Sequence, residues 1–510
     1  MKRIKKKITL HPIMSFLILI LIAICLSGLF GLLGLSTNYN MINTIRGDYE
    51  STTVSVESLL NLSGLKLIFR TTVSNFVNFA PLSMLIITLI GIGIMDKSGF
   101  LKSFFTLLSK RSSKFAVTLT LSFITILASI VGDISFIIFI PIIALLFKYS
   151  KRNPKAGIIL AFAGLTCGTG INMFMNSIDS SLLEYTRLAA NSVDTSYTIG
   201  THAYLFVMII LTIIMSIVVA SITERVIIPK LGKYEEEEVE EEFYLDKRKK
   251  RGLLFSLAIG AIYLLIFVYN IIPGLPLSGN LLDKSQTLYI DKLFGYNSFF
   301  NQGFVFVITM FFFLCGLLYG IGAKTIKNNR EMCEYLGHSL DGIGKTLVLI
   351  FFASTLISVF KDTNIGSVIA AYSANFISNA NITGIPLIII SFILVALITL
   401  LVPSPVTSWS ILSGVLVPVF MNAGMSAEFA TLVFRAGQCV TYGLTPLMAY
   451  FVIYLAFLDK YSDDEKPVSL WGSIKYILPY SGVTALVWIV ILIISYILGL
   501  PIGIGTSAVI

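Results

Sequence analysis

Hydrophobic positions in this chain come in continuous runs of about twenty residues or more, separated by short polar segments that carry most of the charge. At 1.5 Å of rise per residue, such a run is one membrane-spanning helix. Runs of this kind lie at about 12–36, 81–96, 157–178, 202–222, 252–272, 303–323, 343–377, 428–457 and 475–499. An amphipathic stretch from Leu62 to Phe79 leads into the second. Two further runs do not fit a single span. Residues 115–147 would make about 50 Å of helix, too long for one crossing and short for two. Basic clusters flank both ends: Lys97, Lys102, Lys110, Arg111 and Lys114 before, and Lys148, Lys151, Arg152 and Lys155 after. Both ends therefore belong on one side, which predicts a re-entrant helical hairpin with its tip at Val131-Gly132-Asp133. Residues 385–420 form a second such run, broken at Val402-Pro403-Ser404-Pro405.

Counting from the basic segment Met1 to Lys7, which is retained in the cytoplasm, gives an all-α polytopic membrane protein. It has nine transmembrane helices plus two opposed re-entrant hairpins, an N-terminus in the cytoplasm and a C-terminus outside. On this count Asp179, Glu184 and Asp194 lie outside, beyond the third span. The acidic run Glu235 to Glu242, followed by Lys247 to Arg251, reads as a solvated linker, 229–251, between an N-terminal half, 1–228, and a C-terminal half, 252–510.

The halves look alike. Each hairpin breaks at a polar or proline-containing tip, resumes in a limb with an internal proline (Pro141, Pro418), and leads into a span interrupted by polar and glycine residues. Because the hairpins open from opposite sides, this is an inverted repeat, and paired interrupted segments point to a transport site near the bilayer midplane.

Composition narrows the function. The chain is 56% hydrophobic and 13% charged, so its net charge of +9 reflects basic clusters between spans, not a nucleic-acid surface. Five cysteines (Cys25, Cys167, Cys315, Cys333, Cys439) form no CxxC pair, and no metal or cofactor site follows. An intramembrane aspartyl protease is the remote alternative, but Val131-Gly132-Asp133 is only a fragment of a glycine-aspartate motif. His11, His202 and His338 stand far apart.

Charges inside spans are costly unless paired or functional. Arg435, in Phe434-Arg435-Ala436-Gly437-Gln438, presents a fork of donors suited to a carboxylate, with an ion pair to Asp362 or Asp179 as the structural alternative. Asp133, Asp179 and Asp362 are the acidic candidates for a proton or, with Thr363, Asn364 and exposed carbonyls, for Na⁺. Trp409 suits an aromatic ligand or simple packing.

The chain resembles the AbgT family, the aminobenzoyl-glutamate transporters, along nearly its whole length. The resemblance is carried by Asn75-Phe76-Val77-Asn78-Phe79-Ala80-Pro81-Leu82, Gly91-Ile92-Gly93-Ile94, the first hairpin through Pro141, and Asn364-Ile365-Gly366. Trp409 through Pro418, Phe434-Arg435-Ala436-Gly437 and Thr445-Pro446-Leu447-Met448 complete it. It implies a homodimer in the bacterial cytoplasmic (inner) membrane that moves p-aminobenzoyl-glutamate or a related folate catabolite, coupled to Na⁺ or H⁺. In some members it implies sulfonamide or antimetabolite efflux. By position, Asp179, Trp409 and Arg435 match family site residues. Arg435 is expected to hold a carboxylate, Trp409 the aromatic part, and Asp179, Gln438 and Asn172 the polar remainder. Asp133 and Asp362 to Asn364 are the expected cation-coupling residues. The family tends to have Ser at Val406, Pro at Ala427 and Asp at Gln438. A di- or tricarboxylate transporter of the same architecture is the alternative.

Overall fold

Proline and capping side chains mark where the helices begin. The first, α1 (Pro12–Leu32), starts with proline in its opening turn, where the missing N–H costs nothing, and His11 Nδ1 accepts from the Ile13 N–H. In the polar connector beyond it, β1 (Ser36–Asn43) pairs antiparallel with β2 (Asp48–Ser55), Ser36 opposite Ser55. Next come α2 (Leu62–Val77), α3 (Ala80–Lys97) and α4 (Phe100–Arg111). The first long run divides into α5 (Lys114–Ala128) and α6 (Ile134–Tyr149), joined by a 3-10 turn at Ser129–Val131 and by Gly132 at φ 69°. Then follow α7 (Pro154–Gly168), α8 (Ser177–Asn191), α9 (Leu205–Ile222), a π-helical turn and α10 (Ile228–Leu231).

The second half holds α11 (Lys247–Ile271), α12 (Tyr289–Phe294), α13 (Phe299–Ala323), α14 (Asn329–His338), α15 (Ile343–Asp362) and α16 (Ile365–Asn379). The second long run divides into α17 (Gly384–Leu401) and α18 (Pro405–Asn422). It is followed by α19 (Ala427–Thr441), α20 (Phe451–Lys460), α21 (Leu470–Leu498) and a terminal hairpin, β3 (Pro501–Gly503) with β4 (Thr506–Ser507). This computed structural model describes residues 10–43, 48–174, 176–200, 202–232, 245–295, 297–462 and 468–510. The basic segment Met1 to Lys7 and the acidic run Glu235 to Glu242 lie outside the described residues.

Among the described residues, ten helical segments are long and apolar enough to cross a membrane. Several present exposed apolar residues at helical spacing, such as Ile210, Ile213 and Ile217 on α9 and Leu486, Val490, Ile494 and Ile497 on α21. Such stripes suit contact with lipid chains.

The centre of the molecule is two interrupted helices. Every residue of α19 from Ala427 to Val440 is buried, as is every residue of α7 except Lys155. Their neighbours repeat. Helix α5 packs on α7 as α17 packs on α19; then the partners cross over, α18 packing on α8 and α6 on α20. Glycines allow both close approaches: a Cβ on Gly168 would lie 2.6 Å from the Ile126 carbonyl oxygen, and one on Gly437 2.6 Å from that of Phe392. The two halves of the sequence thus form one core, each completing the other's broken helix.

One expectation is corrected. Asp179 and Glu184 are not in a loop beyond the third span, because the helix resumes as α8 and runs to Asn191. Asp179 is 4% exposed, since the polar face of α8 packs against protein instead of solvent.

Candidate functional site

Side chains at both interruptions bond to backbone carbonyls of the neighbouring helices, as a buried break requires. After α7, Ser129 Oγ donates to the Gly168 carbonyl at 2.6 Å, and Asn172 Nδ2 donates to Ser129 Oγ at 2.8 Å and the Leu127 carbonyl at 3.1 Å. These bonds tie the first turn between paired helices to the first broken helix. In the other half, Thr441 Oγ1 and Thr445 Oγ1 donate to the carbonyls of Ala396 and Leu400, each at 2.7 Å, tying α17 to the break after α19. Gly170 lies against α19 so closely that a Cβ would stand 2.5 Å from Cys439 Cβ and 2.8 Å from the Arg435 carbonyl oxygen.

All of these irregular segments border one cavity of about 480 Å³. Asp133 enters it from the turn between α5 and α6, and Leu401 to Pro405 with Thr407 from the turn between α17 and α18. Thr169 and Ile178 come from the first broken helix, Tyr442, Met448 and Tyr450 from the second, and Phe360, Lys361, Asn364 and Gly366 from the α15–α16 break. Three helices begin at its wall. Asp133 is the N-cap of α6, Asn364 in left-handed backbone (φ 57°) that of α16, and Ser404 that of α18. Helix starts carry partial positive charge and unpaired N–H groups, so three of them around one space favour an anion. Among the described residues, Lys361 is the cavity's one cationic lining residue and Asp133 its one carboxylate.

Beside the cavity, α8 and α19 meet along a buried polar seam. Arg435 Nη2 contacts Asp179 Oδ1 at 2.9 Å, with the side chains 1% and 5% exposed. Arg435 Nη1 donates to Gln438 Oε1 at 3.3 Å. Asp179 also accepts from the Tyr204 hydroxyl at 3.2 Å and the Asn176 N–H at 3.2 Å, while Asn176 Oδ1 accepts from the Asp179 N–H in a capping box. Farther along, the hydroxyls of Thr186 and Thr431 lie 2.8 Å apart, and Trp409 Nε1 donates to Thr186 Oγ1 at 3.0 Å and the Leu182 carbonyl at 3.2 Å. Trp409 is fully buried, with its ring centroid 4.6 Å from that of Phe434. A second cavity, of about 330 Å³, meets the loop after α7 at Asn172 and Phe174 and reaches Asp179 and Tyr204.

The residues singled out from the sequence therefore fall into two groups. Asp133 and Asn364 line the cavity between the turns. Asp179, Trp409, Arg435 and Gln438 form the seam beside it, and Asn172 anchors the broken loop. Thr363 Oγ1 donates to the Phe360 carbonyl at 2.6 Å, and its own carbonyl accepts from the Glu57 N–H; neither Thr363 nor Asp362 lines the cavity. Lys361 and Tyr442 were missed. Lys361 stood in plain view in the Lys361-Asp362-Thr363-Asn364 break, but a lysine near a helix end reads as snorkelling to an interface.

Comparisons with known proteins agree along the whole chain. The profile described as the AbgT putative transporter family matches residues 3–510. The p-aminobenzoyl-glutamate transport protein of Escherichia coli (strain K12) is 26% identical over 504 residues, 99% of this chain and 95% of that protein. Among solved structures, the YdaH transporter of Alcanivorax borkumensis is 26% identical, covering 97% of this chain and 100% of its own, at a TM-score of 0.49. MtrF of Neisseria gonorrhoeae, described as illuminating a class of antimetabolite efflux pumps, is 29% identical over 98% of both chains, also at 0.49. The chain belongs to the AbgT family, whose members are multi-pass membrane transporters and not enzymes.

Proposed function

We propose that this protein is an ion-coupled secondary transporter of a small organic anion of the p-aminobenzoyl-glutamate type. The observation that carries this reading is the cavity where both inter-helix turns and three helix breaks meet. Three helix starts and Lys361 suit a carboxylate, Phe360, Tyr442 and Tyr450 suit an aromatic ring, and Asp133 with Thr169 suits a cation or a donor group on the substrate. The name of the Escherichia coli relative supports the same substrate class.

In this reading the paired helices α5–α6 and α17–α18 are re-entrant, opening to opposite sides. Of the ten candidate segments three are then arms, and counting each broken pair, α7–α8 and α19–α20, as one crossing gives nine spans. The membrane is the inner membrane, the N-terminus is cytoplasmic, the C-terminus is outside, and the working unit is a homodimer. Arg435, Asp179, Gln438 and Trp409 hold the repeats together in the conformation described here, and they meet the substrate when the seam between α8 and α19 parts. Asp133 is the first candidate for the coupling ion.

Counterflow in proteoliposomes tests the proposal. Labelled p-aminobenzoyl-glutamate should exchange against itself and be displaced by analogues that keep both ring and carboxylates. Displacement by plain dicarboxylates alone would assign the cavity to a different substrate class.

A further inference from the structure

The polar seam does not stop at Arg435 and Thr431. On α19 the residues Glu428, Thr431, Arg435 and Gln438 follow at steps of three, four and three, which keeps them on one helix face, and all four are buried. Three of them have partners that run the other way along α8 and the segment after it: Asp179 faces Arg435, Thr186 faces Thr431, and Tyr197, beyond the end of α8, faces Glu428. Glu428 is 1% exposed. Its Oε2 accepts from the Tyr197 hydroxyl at 2.6 Å, and the Tyr197 oxygen in turn accepts from the Ala427 N–H at 3.3 Å. Its other oxygen, Oε1, is buried with no hydrogen-bond partner.

No cation compensates this carboxyl among the described residues. Tyr197 is the one titratable side chain bonded to it. On α8, Thr186 faces the seam while Glu184 and Arg187 are exposed. The terminal strands, which bond Ser426 at the start of α19 through the Ser507 and Ala508 carbonyls, bring no ionisable side chain from Thr506 to Val509. The nearest charges along the seam are Arg435 and Asp179, already committed to each other about 10 Å away by helical rise. A buried carboxyl with one bare oxygen loses its hydration as an anion; the Tyr197 hydroxyl and the start of α19, in whose first turn Glu428 stands, offset part of that cost, and the neutral acid avoids it.

We infer that Glu428 is a proton-binding site of the transport cycle, a role that rests on the transporter reading above. One proton from water adds to a carboxylate oxygen of Glu428, forming an O–H bond, and the same bond breaks when the proton leaves on the other side. No other bond changes. Because Glu428 rides on the same helix as Arg435, movement of α19 past α8 must separate Glu428 from Tyr197. The neutral acid can make that movement through an apolar interior and the bare anion cannot, which couples the movement to protonation.

The test uses the full chain in proteoliposomes with labelled p-aminobenzoyl-glutamate as probe. Wild type should accumulate or expel the probe against its gradient when a pH gradient is imposed. Glu428→Gln should keep counterflow within about twofold while gradient-driven accumulation falls at least tenfold, and Glu428→Asp should restore part of it. Accumulation by Glu428→Gln equal to wild type, or wild-type counterflow with no response to a pH gradient, overturns the inference. If wild type shows no counterflow with the probe, the substrate reading fails separately. The protonation of Glu428 is then read directly by pH-difference infrared spectroscopy of the purified protein. A carboxylic-acid band absent from Glu428→Gln supports the site, and identical spectra overturn it.

Discussion

Replacing Asp179 by Asn is the perturbation whose size the structure defines best. The carboxylate accepts from the Arg435 guanidinium, the Tyr204 hydroxyl and the Asn176 N–H, and its side chain is 5% exposed. An asparagine keeps the shape but removes the charge, and it turns one oxygen into an N–H that faces donors. Arg435, 1% exposed and with its Nε already lacking a partner, is left as an uncompensated buried cation. Breaking one side of a buried pair costs about 3–5 kcal/mol. Removing both charges, in Asp179→Asn with Arg435→Gln, eliminates the stranded cation, so the double variant should lose less than the sum of the two singles by about 2 kcal/mol. Urea unfolding of the wild type, both singles and the double in one detergent supplies the cycle. Losses that add to within about 0.5 kcal/mol would show that the two side chains do not hold each other and would refute the seam as described.

Other outcomes follow from the same geometry. Lys361→Gln should raise the KM for p-aminobenzoyl-glutamate counterflow by tenfold to a hundredfold, the loss of one charged hydrogen bond of about 1.5–3 kcal/mol, with Lys361→Arg close to wild type. An unchanged KM would remove Lys361 from the substrate's path. Gly170→Ala, whose new Cβ would stand 2.5 Å from Cys439 Cβ, should destabilise by about 1–3 kcal/mol in the same unfolding assay. Asn172→Ala strips the bonds from the loop after α7 to Ser129 and Leu127 and should cost about 1–3 kcal/mol, with faster proteolysis near residue 172. Wild-type melting would contradict the tie between the broken helix and the turn beside it.

What the sequence made legible were the places where an apolar run is broken. Val131-Gly132-Asp133, Val402-Pro403-Ser404-Pro405, the glycines after Cys167 and the Lys361-Asp362-Thr363-Asn364 segment all proved to be helix ends or turns, and all border or adjoin the cavity. Arg435 stood out because a cation in an apolar run needs a partner, and Asp179 was one of two partners weighed. What stayed hidden has a common cause. Polar residues that face protein look like polar residues that face water. Asp179 read as part of an external segment, although α8 turns it to Arg435 on α19. Glu428 passed unnoticed because its partner Tyr197 lies 231 positions away. Ser36 to Ser55 showed no alternation of apolar residues because the hairpin is held largely by polar contacts, such as the Tyr372 hydroxyl donating to the Ser36 carbonyl and Asn375 Nδ2 to that of Asn38.

Substrate seated in the cavity between the two turns would shield the side chains that line it. Single cysteines at Ser404 and Ser367, two of its lining positions, and at Asn422, far along α18 from it, can be introduced into a background with Cys25 and Cys333 replaced by serine. The rate of labelling by a small maleimide is then measured in proteoliposomes with and without p-aminobenzoyl-glutamate. Saturating substrate should slow labelling at Ser404→Cys and Ser367→Cys about tenfold or more and leave Asn422→Cys unchanged. Equal rates at all three positions, in protein that performs counterflow, would place the substrate elsewhere.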